Sequence, residues 1–101
     1  MIGIDERDGL LTVTLQRPEK ANSLTKAMLE DLDAAFAATT AQAVILTGAG
    51  KVFSAGADLD EARAGLATDP VWDRLSARIA GLPCLTIAAL NGTLAGGAMG
   101  M

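Results

Sequence analysis

The 101-residue chain is predicted to adopt an α/β fold with a partly parallel sheet. Three observations predict it. Leu11, Val13 and Leu15 alternate with Thr12 and Thr14, which is the period of a strand. Two further apolar runs, Ala43 to Leu46 and Cys84 to Leu90, read as buried strands. The segments between these strands carry helical periodicity, and intervening helices bring successive strands parallel. Half the residues are hydrophobic and a fifth are charged, so a packed core is expected rather than disorder.

Taken in order, the first strand ends at Arg17-Pro18, because proline has no N–H to give to a ladder. Thr25 is placed as the N-cap of a helix running to about Ala38. Leu29, Leu32 and Phe36 share one face of it, with Met28 and Ala35 beside them, and Glu30, Asp31 and Asp33 fall towards solvent. The run from Ala43 to Leu46 is closed by Thr47-Gly48-Ala49-Gly50, a turn signal. Phe53 to Leu59 is a tight segment of small residues, and a short helix is expected between Leu59 and Ala67. Trp72, Leu75 and Ile79 define a further helix over Val71 to Ala80, with Gly81 at its end and Pro83 beyond. After the strand Cys84 to Leu90, Asn91-Gly92 turns the chain into the Gly-rich stretch Thr93 to Met101.

Absences narrow the chemistry. The chain has no histidine and one cysteine, Cys84. Ser-His-Asp and Cys-His catalysis therefore fall outside it, as do histidine-bearing and Cys-only zinc sites, and no metal is expected. Proton transfer would need carboxylates, lysine or backbone groups. The net charge of −4 and the lack of a basic run argue against nucleic acid as a partner. Asp5, Glu6, Arg7 and Asp8 stand where a secretion signal needs apolar residues. With a lone cysteine, a cytoplasmic setting is the simplest expectation. Ile79 to Met101 carries no charge, yet Gly81, Pro83, Asn91, Gly92, Gly96, Gly97 and Gly100 break it up, so no membrane span is expected.

Two segments carry the functional signal: Lys51 to Leu59 and Asn91 to Gly100. Each follows an apolar strand and is rich in Gly and Ala, where peptide N–H groups approach a ligand unobstructed. Two such donors aimed at one oxygen make an oxyanion hole. Either segment alone reads more readily as a tight turn between packed elements than as a site. Neither fits a phosphate loop, since Gly50-Lys51 lacks the earlier Gly and the following Ser/Thr. Asp58, Asp60 and Glu61 are read as the acidic start of a helix rather than a Mg²⁺ site. Ser54 has no base to activate it as a nucleophile.

Three stretches, in order, resemble the enoyl-CoA hydratase/isomerase (crotonase) family. They are Arg17-Pro18-Glu19-Lys20-Ala21-Asn22-Ser23-Leu24; Ala43 to Gly48 followed by Phe53-Ser54-Ala55-Gly56-Ala57-Asp58-Leu59; and Ile87 to Gly92 through Gly96-Gly97-Ala98. The resemblance implies a crotonase-like spiral of ββα units, with residues 1–101 as the N-terminal part of a single domain and the spiral incomplete. It implies an acyl-CoA substrate with no tightly bound cofactor, coenzyme A being part of the substrate. Ala57 and Gly97 are implied as the oxyanion-hole amides. The backbone around Lys20 and Ala21, and around Ser54, Ala55, Asp58 and Leu59, is implied to hold the coenzyme A moiety. Assembly as a homo-oligomer, a trimer or hexamer, is implied for the full-length protein. Two positions depart: Ala98 stands for the third Gly of the family's triplet, and the family's first hydratase glutamate falls at Gly100, its second lying beyond Met101. The alternative is therefore a truncated, non-catalytic acyl-CoA-binding or interaction module.

Overall fold

The computed structural model describes residues 1–89 and 93–94. Its first element was not anticipated from the sequence. Strand β1 (Ile2–Arg7) pairs antiparallel with β2 (Leu10–Leu15), in register from Ile2 opposite Leu15 to Arg7 opposite Leu10. Asp8 and Gly9 form the two-residue connection, with φ of 50° and 82°. Two consecutive positive φ values are what a tight hairpin turn requires, and Asp-Gly meets that requirement. The signal was present in the sequence but was masked by the charges of Asp5 to Asp8, which read as surface.

Helix α1 (Lys26–Ala38) starts where expected: Thr25 Oγ1 accepts the Met28 N–H at 3.1 Å. It buries Met28, Leu29, Leu32 and Phe36. Strand β3 (Ala43–Gly48) then lies parallel to β2, and β4 (Val52–Ser54) follows after a turn. A short helix α2 (Leu59–Arg63), a 3₁₀ turn at Leu66–Thr68 and helix α3 (Val71–Ala80) lead to β5 (Leu85–Ala89), which pairs parallel with β3. Finally β6 (Thr93–Leu94) pairs parallel with β4.

The topology is a spiral of ββα units. The larger sheet has the order β1-β2-β3-β5, and the smaller one contains β4 and β6. Thus the first strand of each later unit extends the large sheet, while the second strand joins the small one. Leu11, Val13 and Leu15 of β2 and Val44 and Leu46 of β3 point from one face of the large sheet into a core shared with α1, with Val71 and Leu75 of α3, and with Leu24, Phe53 and Leu66. Trp72 and Ile79 pack against this core, and the Trp72 indole N–H donates to the Leu66 carbonyl at 2.8 Å.

One expectation is corrected. The run from Cys84 to Leu90 reads as a buried strand, but Leu85–Ala89 is exposed along its whole length, with Leu85 at 63% and Ile87 at 40%. It stands at the end of the large sheet, and among the described residues neither of its faces is covered. Apolar character specifies what a strand prefers, whereas burial depends on what packs against it. Cys84, expected to be buried, is half-buried against the core. Leu90 to Gly92 and Ala95 to Met101 lie outside the described residues, including the Asn91-Gly92 turn and most of the Gly-rich stretch.

The β3–β4 turn tolerates no side chain at its start. A Cβ on Gly48 would sit 2.6 Å from the Phe53 carbonyl oxygen and 2.9 Å from Asn22 Nδ2. Neither atom belongs to a flexible chain end, so relief requires movement of backbone. Gly48→Ala is expected to destabilise the fold by about 1–3 kcal/mol through overpacking. A lowered urea midpoint at unchanged m-value would report it; an unaltered midpoint would mean that the turn relaxes freely.

Candidate active site

The site begins where β2 ends. Pro18 occupies the first position of a 3₁₀ turn, Pro18–Lys20, where its missing N–H costs nothing. Ala21 and Asn22 follow with φ of 51° and 52°. Two successive non-glycine residues in the left-handed region are costly unless the surroundings hold them there. Asn22 is fully buried and supplies that hold. Its Oδ1 accepts the Arg17 N–H at 2.8 Å, while its Nδ2 donates to the carbonyls of Ala49 and Val52, both at 2.8 Å. Its own carbonyl accepts the Ser54 hydroxyl at 2.8 Å. One amide side chain therefore joins the end of β2, the β3–β4 turn and the start of β4, while the backbone carbonyl of the same residue holds Ser54, from which the next segment departs.

That segment is laced to the same turn. The Ala55 N–H donates to Ala21 O at 3.0 Å, and the Gly56 N–H to Ser54 Oγ at 3.1 Å. The Leu24 N–H donates to Gly56 O at 2.7 Å, and the Asp58 N–H to Leu24 O at 2.8 Å. These last two bonds form an isolated parallel bridge between Leu24 and Ala57. In such a bridge Leu24 makes both hydrogen bonds, so the N–H and C=O of Ala57 project away from it. The Ala57 N–H has no partner among the described residues. Gly56, with φ of 92°, permits the bend that precedes it.

Asp58 closes the segment. Its Oδ1 accepts the N–H groups of Asp60 and Glu61, capping α2, and its Oδ2 accepts from Arg17 Nη1 at 2.8 Å. The side chains of the pair are only 16% and 15% exposed. The Arg17 guanidinium, then the Glu61 amide, hold the Asp58 carboxyl below the usual carboxylate range. Its carboxylate is thus committed to the fold, as an acidic helix start should be, but it is paired rather than solvated.

A cleft of about 430 Å³ opens over this loop. Of the residues singled out from the sequence, Lys20, Ala55, Ala57, Asp58 and Leu59 line it, joined by Ser23, Asp60 and Arg63. Ala21 lines a neighbouring hollow of about 290 Å³ with Pro18, Ala49, Gly50, Lys51 and Val52. Ser54 lines neither; it is fully buried and its hydroxyl is spent between Asn22 O and the Gly56 N–H. Gly97 lies outside the described residues, although the strand that leads to it does not. Ser54 is the register partner of Leu94; Ala57 follows Ser54 by three residues, and Gly97 follows Leu94 by three. Arg17 and Asn22 were not identified as organisers of the site from the sequence. Arg17 reads locally as a strand end, and a partner 41 residues away leaves no local trace.

The ββα spiral, with its second strands β4 and β6 paired in parallel, defines an α/β protein of the crotonase class. The profile of the enoyl-CoA hydratase/isomerase family matches residues 5–101, and the chain belongs to that family. It is 41% identical over 96 residues to a Rhodobacter capsulatus protein named "Probable enoyl-CoA hydratase", covering 88% of this chain and 37% of that one. It is 35% identical over 113 residues to 4-chlorobenzoyl coenzyme A dehalogenase-1 of an Arthrobacter species, covering 99% and 41%. The crystal structure of an enoyl-CoA hydratase from Bacillus anthracis superposes with a TM-score of 0.82 at 34% identity, over 98% of this chain and 43% of that one. The chain therefore spans well under half the length of these relatives.

Two outcomes follow from the hydrogen bonds of the site. Asn22→Asp retains the left-handed preference and the acceptor, but it loses both donated bonds and sets an anion against two carbonyl oxygens. It is expected to cost about 3 kcal/mol or more at neutral pH, measured by urea unfolding; a loss below about 1 kcal/mol, the worth of one ordinary hydrogen bond, would show that the network is dispensable. The second concerns acid. Because folding lowers the Asp58 pKa, its contribution is full above the ordinary carboxylate pKa and is lost as pH falls through the lowered value. The stability gap between wild type and Asp58→Asn should therefore be largest at neutral pH and close on acidification. Urea midpoints from pH 7 downwards, with a gap that stayed constant, would contradict this.

Proposed function

We propose that this chain carries the thioester-binding part of an acyl-CoA enzyme, in which the Ala57 and Gly97 amides together stabilise the negative charge of a thioester enolate. The register of the small sheet carries the reading. Paired parallel strands β4 and β6 point their carboxyl ends the same way, and ligands of α/β sheets sit beyond the carboxyl ends of parallel strands. The equal three-residue offsets from Ser54 and Leu94 favour convergence of the two amides. The outward Ala57 N–H supports it, since a preorganised donor without another bond to break is what charge stabilisation requires. The relatives' names point to the same substrate class: one is a hydratase of enoyl-CoA, the other a dehalogenase acting on a coenzyme A thioester.

On this reading the substrate is an acyl-CoA, and the reaction is hydration or double-bond isomerisation of enoyl-CoA in fatty-acid metabolism. Residues 1–101 supply the N-terminal part of a single domain, which works in the cytoplasm and assembles as a homotrimer or hexamer when full length. Backbone around Lys20, Ala21, Ala55, Asp58 and Leu59 holds the coenzyme A portion. Ser54 acts from beneath, through Asn22 and Gly56. Among the described residues no group of His, Cys, Asp and Glu is placed to hold a metal ion, and no helix is long and apolar enough to cross a membrane.

Gly100 favours a second reading. A glycine where hydratases of the family carry a glutamate removes one acid–base group, leaving a module that binds acyl-CoA without turning it over. Turnover of crotonyl-CoA or of a 3-enoyl-CoA by the protein would eliminate that alternative. Binding is tested first. An acyl-CoA thioester at about 100-fold excess over Kd should stabilise the protein by about 2.7 kcal/mol, seen as a raised thermal midpoint, and Gly97→Val should abolish the shift. Wild type that gains no protection would overturn the coenzyme A reading.

A further inference from the structure

We infer that Arg17 is a positioning residue, a guanidinium clamp that sets the orientation of the Gly56–Ala57 peptide. The inference deepens the reading of Ala57 as a charge-stabilising donor and rests on it only for its catalytic consequence. The geometric part stands on the bridge itself. Leu24 and Ala57 form an isolated rung, with no neighbouring rungs of a ladder to keep their peptide planes aligned. Two hydrogen bonds, of 2.7 Å and 2.8 Å, hold the rung. In a longer strand pair, flanking rungs would resist twisting of the central peptide; here a side chain does so.

Arg17 reaches both sides of the rung. Nη1 lies 3.2 Å from the Ser23 carbonyl and 3.1 Å from the Ser23 hydroxyl, immediately before Leu24. The same nitrogen lies 2.8 Å from Asp58 Oδ2, immediately after Ala57. Asp58 cannot turn to follow a displaced partner without releasing the Asp60 and Glu61 amides that its other oxygen holds at 3.0 Å and 3.2 Å. Arg17 is itself anchored, its N–H donating to the buried Asn22 Oδ1. A single guanidinium nitrogen, Nη1, spans Ser23 and Asp58, its N–H groups fixed in the guanidinium plane, which an ammonium on a flexible stem does not reproduce. Low exposure of both side chains keeps solvent from replacing the link.

A group that acts through alignment of another reveals itself locally and in turnover rather than in overall affinity. The test uses the 101-residue protein labelled with ¹⁵N, without ligand. In Arg17→Met the Gly56 and Ala57 amide resonances should move, and the bonded Leu24 and Asp58 amide hydrogens of the rung should exchange about tenfold faster or more, as expected for a locally loosened segment. The amides of Val44 and Leu46 in β3 should stay put. Arg17→Lys should lie between wild type and Arg17→Met. Arg17→Met combined with Asp58→Asn should be no worse at Ala57 than either change alone, the non-additivity of a shared link. If Arg17→Met does not fold, Arg17→Lys and Asp58→Asn decide the matter by the same resonances.

An unmoved Ala57 amide, or a loss of protection spread evenly over β3 and α1, overturns the clamp. The kinetic arm uses the intact protein with an acyl-CoA thioester that it turns over. There kcat should fall about ten- to hundredfold in Arg17→Met with KM within about twofold, because misalignment is felt in the transition state. A wild type that neither binds nor turns over a thioester sinks the oxyanion reading, while the amide measurements still decide whether Arg17 holds the peptide.

Discussion

The whole site hangs on one buried carboxamide. Asn22 has no solvent contact and makes three side-chain hydrogen bonds, to the Arg17 N–H and to the Ala49 and Val52 carbonyls. Each of those backbone groups belongs to an irregular segment whose polar atoms would otherwise be buried without partners, a costly situation. A residue with both donor and acceptor functions on one short side chain is needed, and it must tolerate a left-handed backbone. Asparagine meets both conditions. Ala21, beside it with φ of 51°, has no polar side chain and is held through its backbone, its N–H donating to Pro18 O and its carbonyl accepting from Ala55. The close approach of the turn also explains Gly48, where a methyl group would collide with both Asn22 and the Phe53 carbonyl.

Periodicity made α1, β2 and α3 legible because each of them spans enough residues to show a repeat, and an unbroken apolar run did the same for β3. The Thr25 cap was legible for the same local reason: capping is decided within one turn of helix. Strand β4 was not, since three residues, Val52–Ser54, are too few to show alternation, and a bulge between Val52 and Ser54 breaks the pattern further. The exposure of β5 was invisible because it depends on what lies beside the strand. At the site, the loop Ala55 to Leu59 was legible through its composition and its likeness to a family motif. Its supports were not. Arg17 meets Asp58 across 41 positions and Asn22 meets Val52 across 30, and a single sequence contains no mark of such pairs.

The spiral explains why two strands that are far apart in sequence, β4 and β6, pair directly in space. Each ββα unit sends its first strand to the large sheet and its second to the small one. Because β4 and β6 run parallel, their carboxyl ends point in the same direction. No side-chain chemistry enters that argument. A fold of this kind can present peptide N–H groups in pairs by repetition alone, and Ala or Gly at the presenting positions keeps the approach clear.

The division of labour between the two supports follows from solvation. Where burial is complete, the link is the uncharged Asn22; an ion there would lose hydration that two carbonyl oxygens and one amide could not replace. Where water still reaches the rim, the link is the Arg17–Asp58 pair, each side chain retaining about a sixth of its exposure. Charge is then used for stiffness at the edge of the cleft, and neutral hydrogen bonding beneath it. This arrangement also fits a chain without histidine. Backbone amides answer the appearance of negative charge without giving up a proton. On the proposed reading these amides hold charge rather than move protons, and with glycine at position 100 any acid–base step needs another group.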